Sequence, residues 1–315
     1  MNATVEKQLL TAMGLLMSAG AAFAAPAERA VWTWEKESYA MVEDIAAADD
    51  AMAFFRSKKI RIVYLYADEY QGRNLIENRP ELYRQLVRRL HRAGLQVYAL
   101  LGSAYLNTEE YVLPERRQAA LAMFQRVLAY NALVDPDERF DGVNLDIEPH
   151  ILAQWSERKN QLLLQFLDLG QALMQLKKTS GQSLLVGPAI PFWLDGIELE
   201  WNGKNKPVSE HVIDIYDYVA LMDYRDHAAG GDGLISHAMD EMAYAGRHSR
   251  KVVIGVEVTP NELLKVSFNH LTEPDMEREL TLTANAFQGE EAFAGFAIHH
   301  YRGYRVWLER ERSRD

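Results

Sequence analysis

Apolar and polar positions along the chain follow two alternating patterns. Short runs in which Val, Ile, Tyr and Ala crowd or alternate lie at 30–34, 60–66, 95–101, 140–149, 183–190, within 212–223, at 251–258 and at 294–301. Runs of this kind are strands with one or both faces buried. Between them, apolar residues recur at helical spacing over 40–56, 80–93, 114–132, 157–178, 235–245 and 274–286. Pro80 stands near the first turn of its segment, where a missing N–H is no loss. The stretch 193–203, with Trp193, Trp201, Gly203 and several charges, reads as a loop. The alternation predicts an α/β protein with a single (β/α)8 barrel over 25–315. An open doubly wound sheet would normally be shorter.

The first residues carry another pattern. Lys7 precedes an apolar run over 9–23, and Ala22-Phe23-Ala24 has the form of a signal-peptidase site. Residues 1–24 are therefore expected to be a signal peptide, and the protein periplasmic or secreted; a first barrel helix is the alternative. The run is too short and too rich in Ala and Gly for a transmembrane span. The chain has no Cys, which fits an exported enzyme whose core is large enough to need no cross-links. Without a lipobox cysteine, no acyl anchor is expected.

At 315 residues, 48% hydrophobic and 25% charged, the composition is that of one large globular domain. A net charge of −11 disfavours nucleic acid and anionic membranes as partners and is compatible with a neutral sugar polymer.

The stretch 140–149 stands out. Val143, Leu145 and Ile147 take one face of a strand, and Gly142, Asn144, Asp146 and Glu148 the other. Two carboxylates and an amide in line are costly to bury unless each is hydrogen-bonded, and carboxylates held close push their pKa values apart. Pro149 ends the ladder where Glu148 emerges. The row is a candidate site at the carboxyl end of a strand, where barrels keep their chemistry.

The run Asp141-Gly-Val-Asn144-Leu-Asp146-Ile-Glu148 resembles the signature of the family 18 glycoside hydrolases, the chitinases and endo-N-acetylglucosaminidases: Asp, Gly, apolar, Asp/Asn, apolar, Asp/Asn, any residue, Glu. The resemblance implies Glu148 as general acid and a substrate-assisted, retaining mechanism, in which the sugar's own N-acetyl oxygen attacks. It further implies that Asp146 orients the acetamido group, that Tyr224 donates to its carbonyl, and that Asn144 and Asp141 hold Asp146. Met222-Asp223-Tyr224 gives the family's Met and Tyr spacing in the sixth strand, with Arg225 replacing the following Asp. His299 stands where the family has a Trp beneath the reacting sugar. About thirty-five residues separate the seventh and eighth strands, too few for the α+β insertion of many processive chitinases.

The other strand ends offer Trp34, Tyr66, Trp193, Met222, Asp223, Glu257 and His299 as substrate-binding residues. Rings stack on sugar faces and polar groups take hydroxyls. Two other readings stay open. In one, Glu148 and Glu257 are the acid/base and nucleophile of a two-carboxylate retaining glycosidase; in the other, the barrel binds carbohydrate without cleaving it. No cofactor is expected, since no phosphate loop, Ser-His-Asp order or zinc-type Cys pattern occurs. No metal is expected at Glu257, His299 and His300, because adjacent strand residues point to opposite faces.

Overall fold

The computed structural model describes residues 27–313; the expected signal segment lies outside them. In chain order the elements begin β1 (Arg29–Thr33), α1 (Glu35–Glu43), α2 (Ile45–Ser57), β2 (Ile62–Tyr66), α3 (Leu75–Asn78), α4 (Pro80–Arg92) and β3 (Gln96–Leu101). There follow α5 (Arg117–Leu133), β4 (Gly142–Leu145), α6 (Trp155–Ser180), β5 (Leu185–Pro191), β6 (Glu198–Trp201), β7 (Lys204–Pro207), α7 (Val208–Ile215) and β8 (Tyr218–Met222). The chain closes with α8 (Leu234–Arg247), β9 (Lys251–Glu257), α9 (Glu273–Ala286), β10 (Phe293–His299) and α10 (Tyr301–Arg312).

Strands β1, β2, β3, β4, β5, β8, β9 and β10 pair in that order, all parallel, and β10 returns to β1. This is the expected closed (β/α)8 barrel. Between β9 and β10 lie two 3-10 turns and α9. The strands are buried almost throughout, as parallel strands covered by helices must be.

Helices α3 and α7 are additional to the expected ones, and three further elements differ from the expectation. The helix expected over 40–56 is two helices, because Asp44 adopts an extended conformation and its side chain accepts from the Ala46 N–H to cap α2. The stretch expected as a loop over 193–203 holds the first strand of the antiparallel hairpin β6–β7, which turns at Asn202 and Gly203, both with positive φ, and returns as β7. Finally, α10 follows the last strand; it buries Tyr301, Tyr304, Trp307 and Leu308 on one stripe although its other face is densely charged.

Inside the barrel, a row of rings fills the waist. Trp32 and Tyr64 have centroids 5.1 Å apart, Tyr64 and Tyr98 5.8 Å, and Tyr98 and Tyr218 5.8 Å. Gly142 and Gly187 leave the space these rings need: a Cβ at either would lie 2.6–2.7 Å from the ring of Tyr98 or Tyr218. The functional end sits above this layer.

Candidate active site

Only Gly142–Leu145 of the central motif is strand; Asp146 and Glu148 lie just beyond it, at the carboxyl end. The Asp146 N–H still donates to the Leu101 carbonyl, at 2.7 Å. That approach depends on Gly102, whose φ is +107°; a Cβ there would lie 2.1 Å from the Asp146 carbonyl oxygen. The segment then turns at Pro149–Ile151, a 3-10 turn whose Ile151 N–H donates to the Glu148 carbonyl.

A cleft of about 390 Å³ opens at this end, lined by Trp34, Glu35, Tyr105, Thr108, Glu109, Asp146, Glu148 and Ile151 among others. Asp146 and Glu148 therefore share one cavity. The Asp146 carboxyl is pushed well above the usual carboxylate range, first by burial and then by the charges of Glu148 and Glu35. It keeps its proton where an ordinary aspartate would have lost it. His150 Nε2 lies 3.2 Å from Glu148 Oε2.

Tyr224 feels the charges of Glu257, Asp146 and Glu148. Burial first, and these charges next, hold its phenol far above the ordinary tyrosine range, so it stays a donor. Its ring lies 5.7 Å from that of His299.

His299 has a defined tautomer. Trp34 Nε1, which can only donate, lies 3.1 Å from His299 Nε2, and His299 Nδ1 lies 2.7 Å from Glu257 Oε2. Nε2 is therefore the acceptor and Nδ1 carries the proton toward Glu257. The other Glu257 oxygen accepts from the backbone N–H groups of Val258 and Thr259, each at 2.7 Å. Burial alone would raise the Glu257 carboxyl; the hydrogen bonds from His299 and Thr259 outweigh it and hold it below its usual range. Both oxygens are occupied.

Six expected site residues stand elsewhere than in the cleft. Asp141 lies at the opposite, amino-terminal rim, where Oδ2 accepts from the Val97 N–H at 2.7 Å and lies 2.9 Å from His91 Nε2. It cannot hold Asp146, because the length of β4 separates them. Asn144 is fully buried in the ring layer. Its Oδ1 accepts from Trp32 Nε1, and its Nδ2 donates to the Gly187 carbonyl and the Tyr218 hydroxyl. Its amide is spent on the barrel interior rather than on Asp146. Asp223 has the opposite strand parity to Met222 and Tyr224; it is fully buried against His237 of α8, at 2.8 Å. Tyr66 is buried beneath the cleft and donates to the Glu69 carbonyl. Trp193 packs edge-on against His150, with centroids 5.3 Å apart. Met222 is half-buried at the end of β8, paired with Gly255.

Residues outside the motif complete the cleft. Glu35 opens α1 and accepts from the Ser103 hydroxyl. Glu109 and Tyr105 come from 3-10 turns after β3. Among the described residues, no group of three His, Asp or Glu side chains could hold a metal ion.

No protein-family model matches the sequence, and neither does any curated protein. Solved structures do match. A class V chitinase from Nicotiana tobaccum superposes with a TM-score of 0.50 at 15% identity, over 89% of this chain and 96% of that one. A GH18 chitinase from Cycas revoluta in complex with (GlcNAc)3 gives 0.50 at 13% identity, and a double mutant of a GH18 chitinase from that organism with (GlcNAc)4 gives 0.52 at 12%; each comparison covers 90% of this chain and 98% of the other. The chain has the barrel fold of the family 18 chitinases.

Proposed function

We propose that this protein is a glycoside hydrolase that cleaves N-acetylglucosamine-containing glycans, with Glu148 as the general acid. The observation that carries this reading is the pair Asp146 and Glu148, raised together from the end of β4 into one cleft walled by Trp34 and Tyr105. Chitinases of the same fold that hold (GlcNAc)3 and (GlcNAc)4 support the substrate class by fold analogy.

In this reading the substrate supplies the nucleophile, its acetamido oxygen, and the reaction retains configuration. Glu148 protonates the departing glycosidic oxygen. Asp146 accepts the acetamido N–H and so turns the carbonyl oxygen toward the anomeric carbon. Tyr224, kept protonated, donates to that oxygen. Positive charge then develops on the oxazolinium ring beside Glu35 and the carboxylate that Glu148 becomes on giving up its proton, and their negative charge stabilises it. Glu257 is a poor candidate for a protein nucleophile, since three hydrogen bonds already occupy its two oxygens.

The test is Glu148→Gln assayed on chitooligosaccharides. Hydrolysis should fall by about 10²–10⁴-fold, the usual worth of a general acid, with binding retained. Near-normal turnover in the variant would remove Glu148 from the mechanism. Binding by the wild type with no cleavage at all would make the barrel a carbohydrate-binding protein instead.

A further inference from the structure

Glu148 has a partner that the motif does not supply. The 3-10 turn Pro149–Ile151 folds the ring of His150 back beside Glu148, leaving Nε2 3.2 Å from Oε2. The ring is held from behind. Trp193 meets it edge-on at 5.3 Å and 89°, Trp155 at 6.3 Å and 75°, and the two indoles meet each other at 6.1 Å. Behind Glu148 and His150 the apolar side chains of Leu163, Phe166, Ile190 and Leu194 leave a void of only about 10 Å³. The imidazole is thus boxed by tight packing on one side and faces a carboxyl on the other.

We propose that His150 is a positioning residue for the general acid. Across this 3.2 Å contact a small turn of the ring lets Nε2–H donate to Oε2, which fixes that oxygen as the carbonyl side of the carboxylic acid. Oε1 is left to carry the proton that goes to the leaving group. The interaction does two things: it restrains a side chain that would otherwise rotate at the mouth of an open cleft, and it decides which oxygen is the acid. Reacting atoms misplaced by about 1 Å can cost roughly 100-fold in rate, so such a restraint is worth building. Trp155 and Trp193 act through His150, which accounts for two indoles placed behind the cleft wall instead of along it.

The inference rests on Glu148 being the acid, and the experiment separates the two claims. His150→Ala, His150→Gln and Glu148→Gln are assayed on chitotetraose and on 2,4-dinitrophenyl chitobioside. The dinitrophenolate leaves with little need of a proton; the sugar alcohol needs one. For His150→Ala, kcat on chitotetraose should fall about 10- to 100-fold, with KM within about twofold and kcat on the aryl glycoside within about twofold. Gln keeps a donor at nearly the same reach and should restore most of the loss. Thermal unfolding of each variant checks the fold. An equal loss on both substrates, or a raised KM with unchanged kcat, overturns the positioning role. Should Glu148→Gln be inactive on chitotetraose while His150→Ala is unaffected, His150 alone is wrong. Should Glu148→Gln keep its activity, the assignment of the acid is wrong and His150 falls with it.

Discussion

Glu257 Oε2 and His299 Nδ1 lie 2.7 Å apart, and the bond between them fixes which nitrogen of the imidazole is protonated. On its other side His299 accepts from Trp34 Nε1, a residue that lines the cleft. A buried carboxylate thereby orients the ring, and the ring holds an indole at the edge of the cleft.

This arrangement makes a clear statement about Glu257. If it positions His299 rather than attacking the sugar, Glu257→Ala should weaken the fold and reduce activity without altering the chemistry. The lost partners are an imidazole N–H and two backbone N–H groups, a cost of about 2–4 kcal/mol in urea unfolding. Added azide should neither restore the rate nor yield a glycosyl azide. Azide rescue would identify Glu257 as the nucleophile.

The raised pKa of Asp146 carries a stability signature. Between the ordinary carboxylate pKa and the raised folded value, the native state holds a proton that the unfolded chain has released. Stability therefore falls as pH rises through that window. Asp146→Asn removes the effect, so its advantage in melting temperature over wild type should grow from about pH 4 toward neutrality, while its hydrolysis is lost. A constant difference across pH would show that Asp146 is ionised in the native state.

Glu241 offers the same test away from the cleft. It is buried on α8, neither oxygen has a hydrogen-bond partner, and burial pushes its carboxyl up to about 8. The native state keeps this proton from about pH 4.5 to about 8, so Glu241 withdraws stability across that window, at most about 1.4 kcal/mol per pH unit. In Glu241→Gln the slope of unfolding free energy with pH should be shallower over this range. The variant should match wild type near pH 4 and exceed it at pH 9, with activity unchanged.

Asp141 belongs to the family-like motif yet lies at the far rim, bonded to the Val97 N–H and His91. Asp141→Ala should cost about 1–2 kcal/mol of stability. The kcat of the folded protein should stay within about twofold. A large loss of kcat at normal stability would contradict its structural placement.

The motif strand was legible because its polar side chains share one face, and that parity survives in Asn144, Asp146 and Glu148. Parity does not say how far up the barrel each residue sits. One rise of β4 separates a rim residue, a core amide and two cleft carboxylates, and their roles differ accordingly. Asp223 misled for a simpler reason: it neighbours Met222 and Tyr224 in sequence but faces α8. The hairpin β6–β7 carried a usable signal in Asn202-Gly203, the pair that takes positive φ twice in a two-residue turn. Glu35 was legible as a polar residue at the end of the first strand; Ser103, Glu109 and His150 carried no signal. Helix starts and 3-10 turns bring them to the cleft, and no periodicity marks a residue whose position depends on where a loop folds back.

The ring layer of Trp32, Tyr64, Tyr98 and Tyr218 stops up the barrel's waist directly below the cleft. All four side chains are buried, so rings fill the waist between the amino-terminal end and Asp146. In the proposed reaction Glu148 would regain its proton from the water that opens the oxazolinium ring, and with the waist filled by rings that water would enter from the mouth, in the place the leaving sugar has vacated.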